Sequence, residues 1–128
     1  MKKLLIILLC IISGQLLQAT TNCRIDFAIK GLENKNIILA CEYGNKQIII
    51  DTVQLDKEAK GFYTSNKKRL VTGIYIVLFP NQKYIELLIN NEQFFTVISD
   101  TSGLFSNLII EGSDETELYR EYLVLTTE

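Results

Sequence analysis

Cys23 and Cys41 are the residues of this chain best suited to covalent chemistry, and their spacing limits what that chemistry is. They flank the first turn signal, around Leu32-Glu33-Asn34-Lys35, so a hairpin centred there would set them nearly opposite one another. Both share odd parity with Phe27 and Leu39 and would face one side of a sheet. A cross-strand disulfide between them would close a loop and add roughly 3 kcal/mol. The alternative is two free thiols, Cys41 as a small core residue and Cys23 at a frayed terminus. Neither belongs to a Cys-x-x-Cys pair, so the spacing does not point to a catalytic dithiol.

The chain contains no His, which excludes His-ligated metals, Ser–His–Asp and Cys–His nucleophiles and a His general base. Two acidic sets, Asp51, Asp56 and Glu58, then Asp114, Glu115 and Glu117, could gather a hard cation. Neither follows the alternating Asp pattern with a Gly and a later Glu that surrounds calcium, and both also read as a solvated turn and a helix start. Glycoside hydrolysis would require two carboxylates about 5–10 Å apart in a cleft, and no pair is marked for it. Phosphate-cradling Gly loops, Gly-x-Ser-x-Gly and His-Glu-x-x-His are absent. These observations predict a domain with no catalytic, cofactor-binding or metal-ligating residues, not an enzyme.

Binding is the other class of activity. Lys67-Lys68-Arg69 could touch an anionic lipid or glycan, or be a solvated loop. Tyr43, Tyr63, Tyr75, Tyr84 and Phe94-Phe95 could form a ligand-binding surface if contiguous, or fill a core. A formal charge of −2 over 128 residues, with no basic stripe, speaks against nucleic acid.

The elements that must position these residues follow from hydrophobic patterning. Lys2-Lys3, the apolar run 4–12, Ser13-Gly14 and then Leu16-Leu17-Gln18-Ala19 read as a secretory signal peptide, residues 1–19, cut after Ala19. The run is short for a membrane span, and an uncleaved signal anchor is the alternative membrane attachment. Cleavage would remove Cys10 and send the protein to an oxidising compartment, the periplasm or cell surface.

Residues 20–112 alternate with period 2 between turn signals: around Ile25 to Ile29, Ile37 to Cys41, Ile48 to Leu55, Gly61 to Thr64, Gly73 to Phe79, Tyr84 to Ile89, Phe94 to Ser99 and Leu108 to Ile110. About eight strands at this spacing predict an all-β fold, an antiparallel β-sandwich. The stretch from Gly73 to Phe79 is the most apolar and reads as a central strand, ended by Pro80. Gly73→Val and Tyr75→Asp are therefore both expected to destabilise the domain. From residue 113 the pattern becomes helical: Ser113-Asp114-Glu115 supplies a cap and negative charge, Asp114 and Glu117 have a loose capping-box spacing, and Leu118, Tyr122 and Leu125 form a stripe. With no Gly, Asn or Pro to stop it, 113–128 reads as the start of a linker helix in a truncated chain.

Phe27-Ala28-Ile29-Lys30-Gly31-Leu32, Ile37-Ile38-Leu39-Ala40, Asp51-Thr52, Gly61-Phe62, Gly73-Ile74-Tyr75, Lys83-Tyr84-Ile85-Glu86 and Glu111-Gly112-Ser113 together resemble a β-rich domain of unknown function. That domain stands between the signal peptide and a thioredoxin-like domain in exported Gram-negative envelope proteins. The resemblance implies a non-catalytic accessory or interaction module whose partner is a thioredoxin-like domain or another envelope protein. Thiol–disulfide exchange would belong to that partner and not to Cys23 or Cys41. The alternative is a free-standing periplasmic or surface binding protein for a glycan, peptide or lipid.

Overall fold

The computed structural model describes residues 21–127. The segment 1–19 read from the sequence as a signal peptide, with Cys10, lies outside the described residues. The elements are β1 (Cys23–Lys30), β2 (Asn36–Tyr43), β3 (Lys46–Gln54), β4 (Lys60–Ser65), β5 (Gly73–Leu78), β6 (Tyr84–Ile89), β7 (Phe94–Asp100), β8 (Ile109–Glu111) and α1 (Asp114–Thr126). They build two four-stranded sheets, ordered β4-β1-β7-β8 and β3-β2-β5-β6. Inward residues alternate along each strand, as in β1, where Cys23, Ile25, Phe27 and Ile29 are buried. The second sheet answers with Ile37, Leu39, Tyr75, Val77, Ile85, Leu87 and Ile89, and the two inner faces make one apolar core.

Two expectations are corrected. β1 and β2 do not form a hairpin, because the turn between them carries the chain from one sheet to the other. Leu32 is buried in that turn, and the Leu55 amide donates to the Lys35 carbonyl at 2.9 Å, tying the crossing to the end of β3. The sandwich is also not wholly antiparallel. β1 pairs parallel with β7 from Arg24↔Phe94 to Lys30↔Asp100, while its other edge takes β4 antiparallel. The parallel strands end side by side, with the Thr101 amide on the Lys30 carbonyl at 2.9 Å. Gly31 there has φ +99°, and a Cβ on it would strike Thr101, so glycine is required.

β5 lies inside its sheet, between β2 and β6, as its composition predicts. Its first residue does not behave as predicted. A Cβ at Gly73 would meet nothing within 4 Å, and its backbone is not left-handed. Gly73→Val should therefore leave the unfolding free energy from urea titration within about 0.5 kcal/mol of the parent. A larger loss would mean the strand starts elsewhere.

Helix α1 is anchored by polar contacts. The Ser113 hydroxyl caps it, accepting the Thr116 amide at 3.2 Å, so Asp114 is the first helical residue and not the cap. The buried Thr116 hydroxyl donates to the Leu88 carbonyl of β6 at 2.7 Å. The amides of Glu92 and Glu115 each donate to the other's carboxylate at 3.2 Å. The Tyr119 hydroxyl donates to the Glu86 carboxylate at 2.9 Å. The face turned to the sandwich is thus Thr116, Tyr119 and Leu123, while Leu118, Tyr122 and Leu125 are 67%, 58% and 76% exposed. The stripe read from the sequence is present, but it points to solvent.

Candidate functional site

Cys23 and Cys41 stand on the inner faces of opposite sheets. Cys23 is paired with Ser65, and Cys41 with Ile48 and Tyr75. Their shared parity is real, but the cross-strand geometry expected for a disulfide is removed along with the hairpin. Packed sheets lie about 10 Å apart, whereas a disulfide spans Cα separations up to about 7 Å. Both thiols are free in this structure, Cys23 buried and Cys41 half-buried.

At this end of the sandwich the space between the sheets opens into a cleft of about 370 Å³. Cys41, Ile48 and Ile50 form one wall and Tyr63 and Ser65 the other. The loop 66–72 roofs it and Tyr75 stands at its base. Each tyrosine arrives by ordinary strand alternation, Tyr63 from β4 and Tyr75 from β5. The Tyr75 hydroxyl donates to the Val71 carbonyl at 2.6 Å and fastens the roof from below.

A second clamp holds the roof from the side. Buried Gln93 accepts the Leu70 amide and donates to the Leu70 carbonyl, both at 2.8 Å, so its side chain imitates a strand partner. It also donates to the Asn90 carbonyl, and the Arg69 guanidinium donates to the Asn91 carbonyl. No sequence pattern marks Gln93, because a polar residue at a strand entrance is ordinarily exposed. Gln93→Leu leaves the Leu70 amide and carbonyl without their partner and should cost about 2–3 kcal/mol. The same variant should speed amide exchange in 66–72, and unchanged exchange there would remove the clamp.

Three buried groups at this end of the sandwich, Cys23, Tyr63 and Tyr75, are held in their protonated forms. Burial pushes the Cys23 thiol up to about 11, with Arg69 opposing, and pushes Tyr75 up to about 12, the Cys41 thiol adding to the shift. Burial raises Tyr63 as well. The folded state therefore keeps protons that the unfolded chain releases from about pH 9 upward. Stability should be full below that pH and fall as pH rises toward 11, by roughly 1–2 kcal/mol. Urea midpoints at pH 8 and pH 10.5 measure it, and equal values would contradict the burial of both groups.

The remaining candidates are dispersed. Asp56 accepts the amides of Glu58 and Lys60 in a turn, which holds its carboxyl below the usual range. Glu115 bonds the β6–β7 turn and Glu117 pairs with Arg120. Among the described residues no group of three His, Cys, Asp or Glu is placed to hold a metal ion. Of the aromatics, Tyr63, Tyr75 and Phe95 are core, while Tyr43, Tyr84 and Phe94 are exposed. The exposed three do not join. Tyr43 ends β2, Tyr84 opens β6 in the same sheet, and Phe94 belongs to β7 of the other sheet. Phe62, which is outside the aromatic set read from the sequence as a candidate surface, lies under the Arg24 guanidinium at 4.2 Å. Among the described residues no helix is long and apolar enough to cross a membrane.

No curated protein matches the chain significantly. The family model described as "Domain of unknown function (DUF4369)" matches residues 23–119. That span opens on the first residue of β1, takes in all eight strands and closes at Tyr119, whose hydroxyl joins α1 to β6. A match over so much of the chain, in step with the folded unit, makes this protein a member of the DUF4369 family.

Proposed function

We propose that this domain is a non-catalytic interaction module of an exported bacterial envelope protein, acting beside a thioredoxin-like domain that performs the thiol chemistry. The observation that carries the reading is the outward face of α1. Leu118, Tyr122 and Leu125 are all more than half exposed on a helix otherwise held by hydrogen bonds to β6 and the β6–β7 turn. Contiguous exposed apolar side chains of this kind favour a covering partner. The proton-retaining environment of Cys23 agrees with leaving exchange chemistry to another domain, since the thiolate is the reactive form. Export to the periplasm or cell surface is proposed from the basic and apolar pattern of residues 1–19.

The test begins with the reading frame after codon 128. The segment it encodes is produced separately and added to this chain while NMR signals of α1 are followed. Selective broadening at Leu118, Tyr122 and Leu125, lost in Tyr122→Asp, supports the module. A frame without a Cys-x-x-Cys segment, or α1 signals that do not move, would discard it. A second reading, a free-standing binding protein for a glycan, peptide or lipid, is favoured by the cleft between the sheets, whose volume lies within the range of about 300–1,000 Å³ that small-molecule sites use.

A further inference from the structure

We propose that the cleft under the loop 66–72 binds a single-tailed anionic amphiphile, its chain between the sheets and its head at the lysines of the rim. This deepens the binding-protein reading and rests on it. The lining is apolar where a chain would lie, with Ile48, Ile50, Tyr63 and Leu70 facing the space. The apolar surface continues outward: Ile48 is 47% exposed, and Tyr43 and Val71 are each 75% exposed at the mouth. A tail entering there would cover side chains that now face water.

The polar groups separate the ligand classes. Three hydroxyls of the lining are already committed to the fold, Tyr75 to the Val71 carbonyl, Ser65 to the Lys68 carbonyl and Thr72 to the Asn90 side chain, which leaves those of Tyr43 and Tyr63. A glycan or a peptide backbone needs several converging donors and acceptors, and the hydroxyls committed to the fold leave this lining few. Charge is concentrated at the rim instead. Lys68 and Arg69 belong to the lining, Lys67 is next to them in the loop and Lys46, the first residue of β3, pairs with Tyr43 of the lining, against one acid, Glu42. The ion pairs among the described residues are Arg24–Asp26 and Arg120–Glu117, so Lys46, Lys67 and Lys68 enter none. Unpaired cations at an apolar mouth, in a chain of net charge −2, complement an anionic head on an alkyl tail.

Cys41 reports on occupancy because it lines the cleft and is half-buried, whereas Cys23 is buried and serves as an internal reference. The experiment measures site-resolved alkylation of the full chain by peptide mass spectrometry, with monomeric dodecanoate, dodecanol or anionic phospholipid vesicles as probes. Dodecanoate is expected to slow Cys41 alkylation at least tenfold at saturation. Its Kd should weaken about tenfold in the surface double variant Lys46→Glu/Lys68→Glu, and dodecanol should bind at least tenfold more weakly than dodecanoate. Equal affinity of dodecanol and dodecanoate, or an unchanged Kd in the double variant, overturns the anionic head. Protection by vesicles without protection by monomeric dodecanoate overturns the single ligand in favour of bilayer docking. No slowing with any probe overturns the site, while a glycan or peptide that shifts NMR signals elsewhere on the domain would preserve the binding-protein reading.

Discussion

Tyr75→Asp is expected to leave the domain largely unfolded at neutral pH. Tyr75 is 3% exposed on an inner strand, opposite Cys41 on one side and Leu87 on the other. A carboxylate there would be enclosed by the core, and the Arg69 guanidinium of the cleft is already committed to the Asn91 carbonyl. It would also remove the ring that fills the base of the cleft and the hydroxyl that holds Val71. Burying an unpaired charge and losing a large side chain together cost about 4 kcal/mol or more, against a total of roughly 5–15 kcal/mol for a domain of this size. Two controls separate these causes. Tyr75→Phe keeps the volume and loses one hydrogen bond, so it should cost about 1 kcal/mol and loosen 66–72. The Asp variant should recover part of its loss as pH falls and the carboxyl takes up a proton. Urea titrations at pH 7 and pH 4.5 read both, and a parent-like midpoint at pH 7 would refute the inner position of β5.

Phe27→Ala should be nearly as damaging, costing about 3–5 kcal/mol. Phe27 is 1% exposed on β1, the strand with β4 on one side and β7 on the other, opposite Gly61 and Val97. The room its ring occupies cannot be closed easily. At Gly61 even a Cβ would come within 2.9 Å of the Gln54 carbonyl and 3.0 Å of Leu55 and Val53, so the neighbouring backbone is already in close contact. A cavity would persist, and its volume sets the excess over simple transfer. Phe27→Leu, which keeps most of the volume, should cost less than half as much. Thermal and urea unfolding decide the matter, and a loss below 1 kcal/mol for the Ala variant would show that β1 does not face the core.

Both residues were identifiable before any tertiary contact was known, because period-2 alternation depends on neighbours along the chain. The eight strands, the turn after Pro80 and the Ser113 start of α1 lie close to where composition and punctuation put them. The cleft was not identifiable in the same way. Its walls come from β2, β3, β4, β5 and the loop 66–72, and none of these segments carries a motif by itself. Gln93 was invisible for the same reason, since its partner Leu70 is remote in sequence. Lys67-Lys68-Arg69 was visible as a charged loop, but its position at an apolar mouth was not.

By itself the sequence determined which residues are extended, which face of each strand is apolar and where the helix begins, because these depend on side-chain periodicity and on caps a few residues away. Only the tertiary structure decided which strands are neighbours, that β1 runs parallel to β7, that Cys23 and Cys41 belong to opposite sheets and that Leu118, Tyr122 and Leu125 turn away from the core. Pairing and facing are settled by contacts between segments far apart in the chain. An alternating pattern shows that a strand has a buried side, and a stripe shows that a helix has an apolar side, but neither specifies what lies against it.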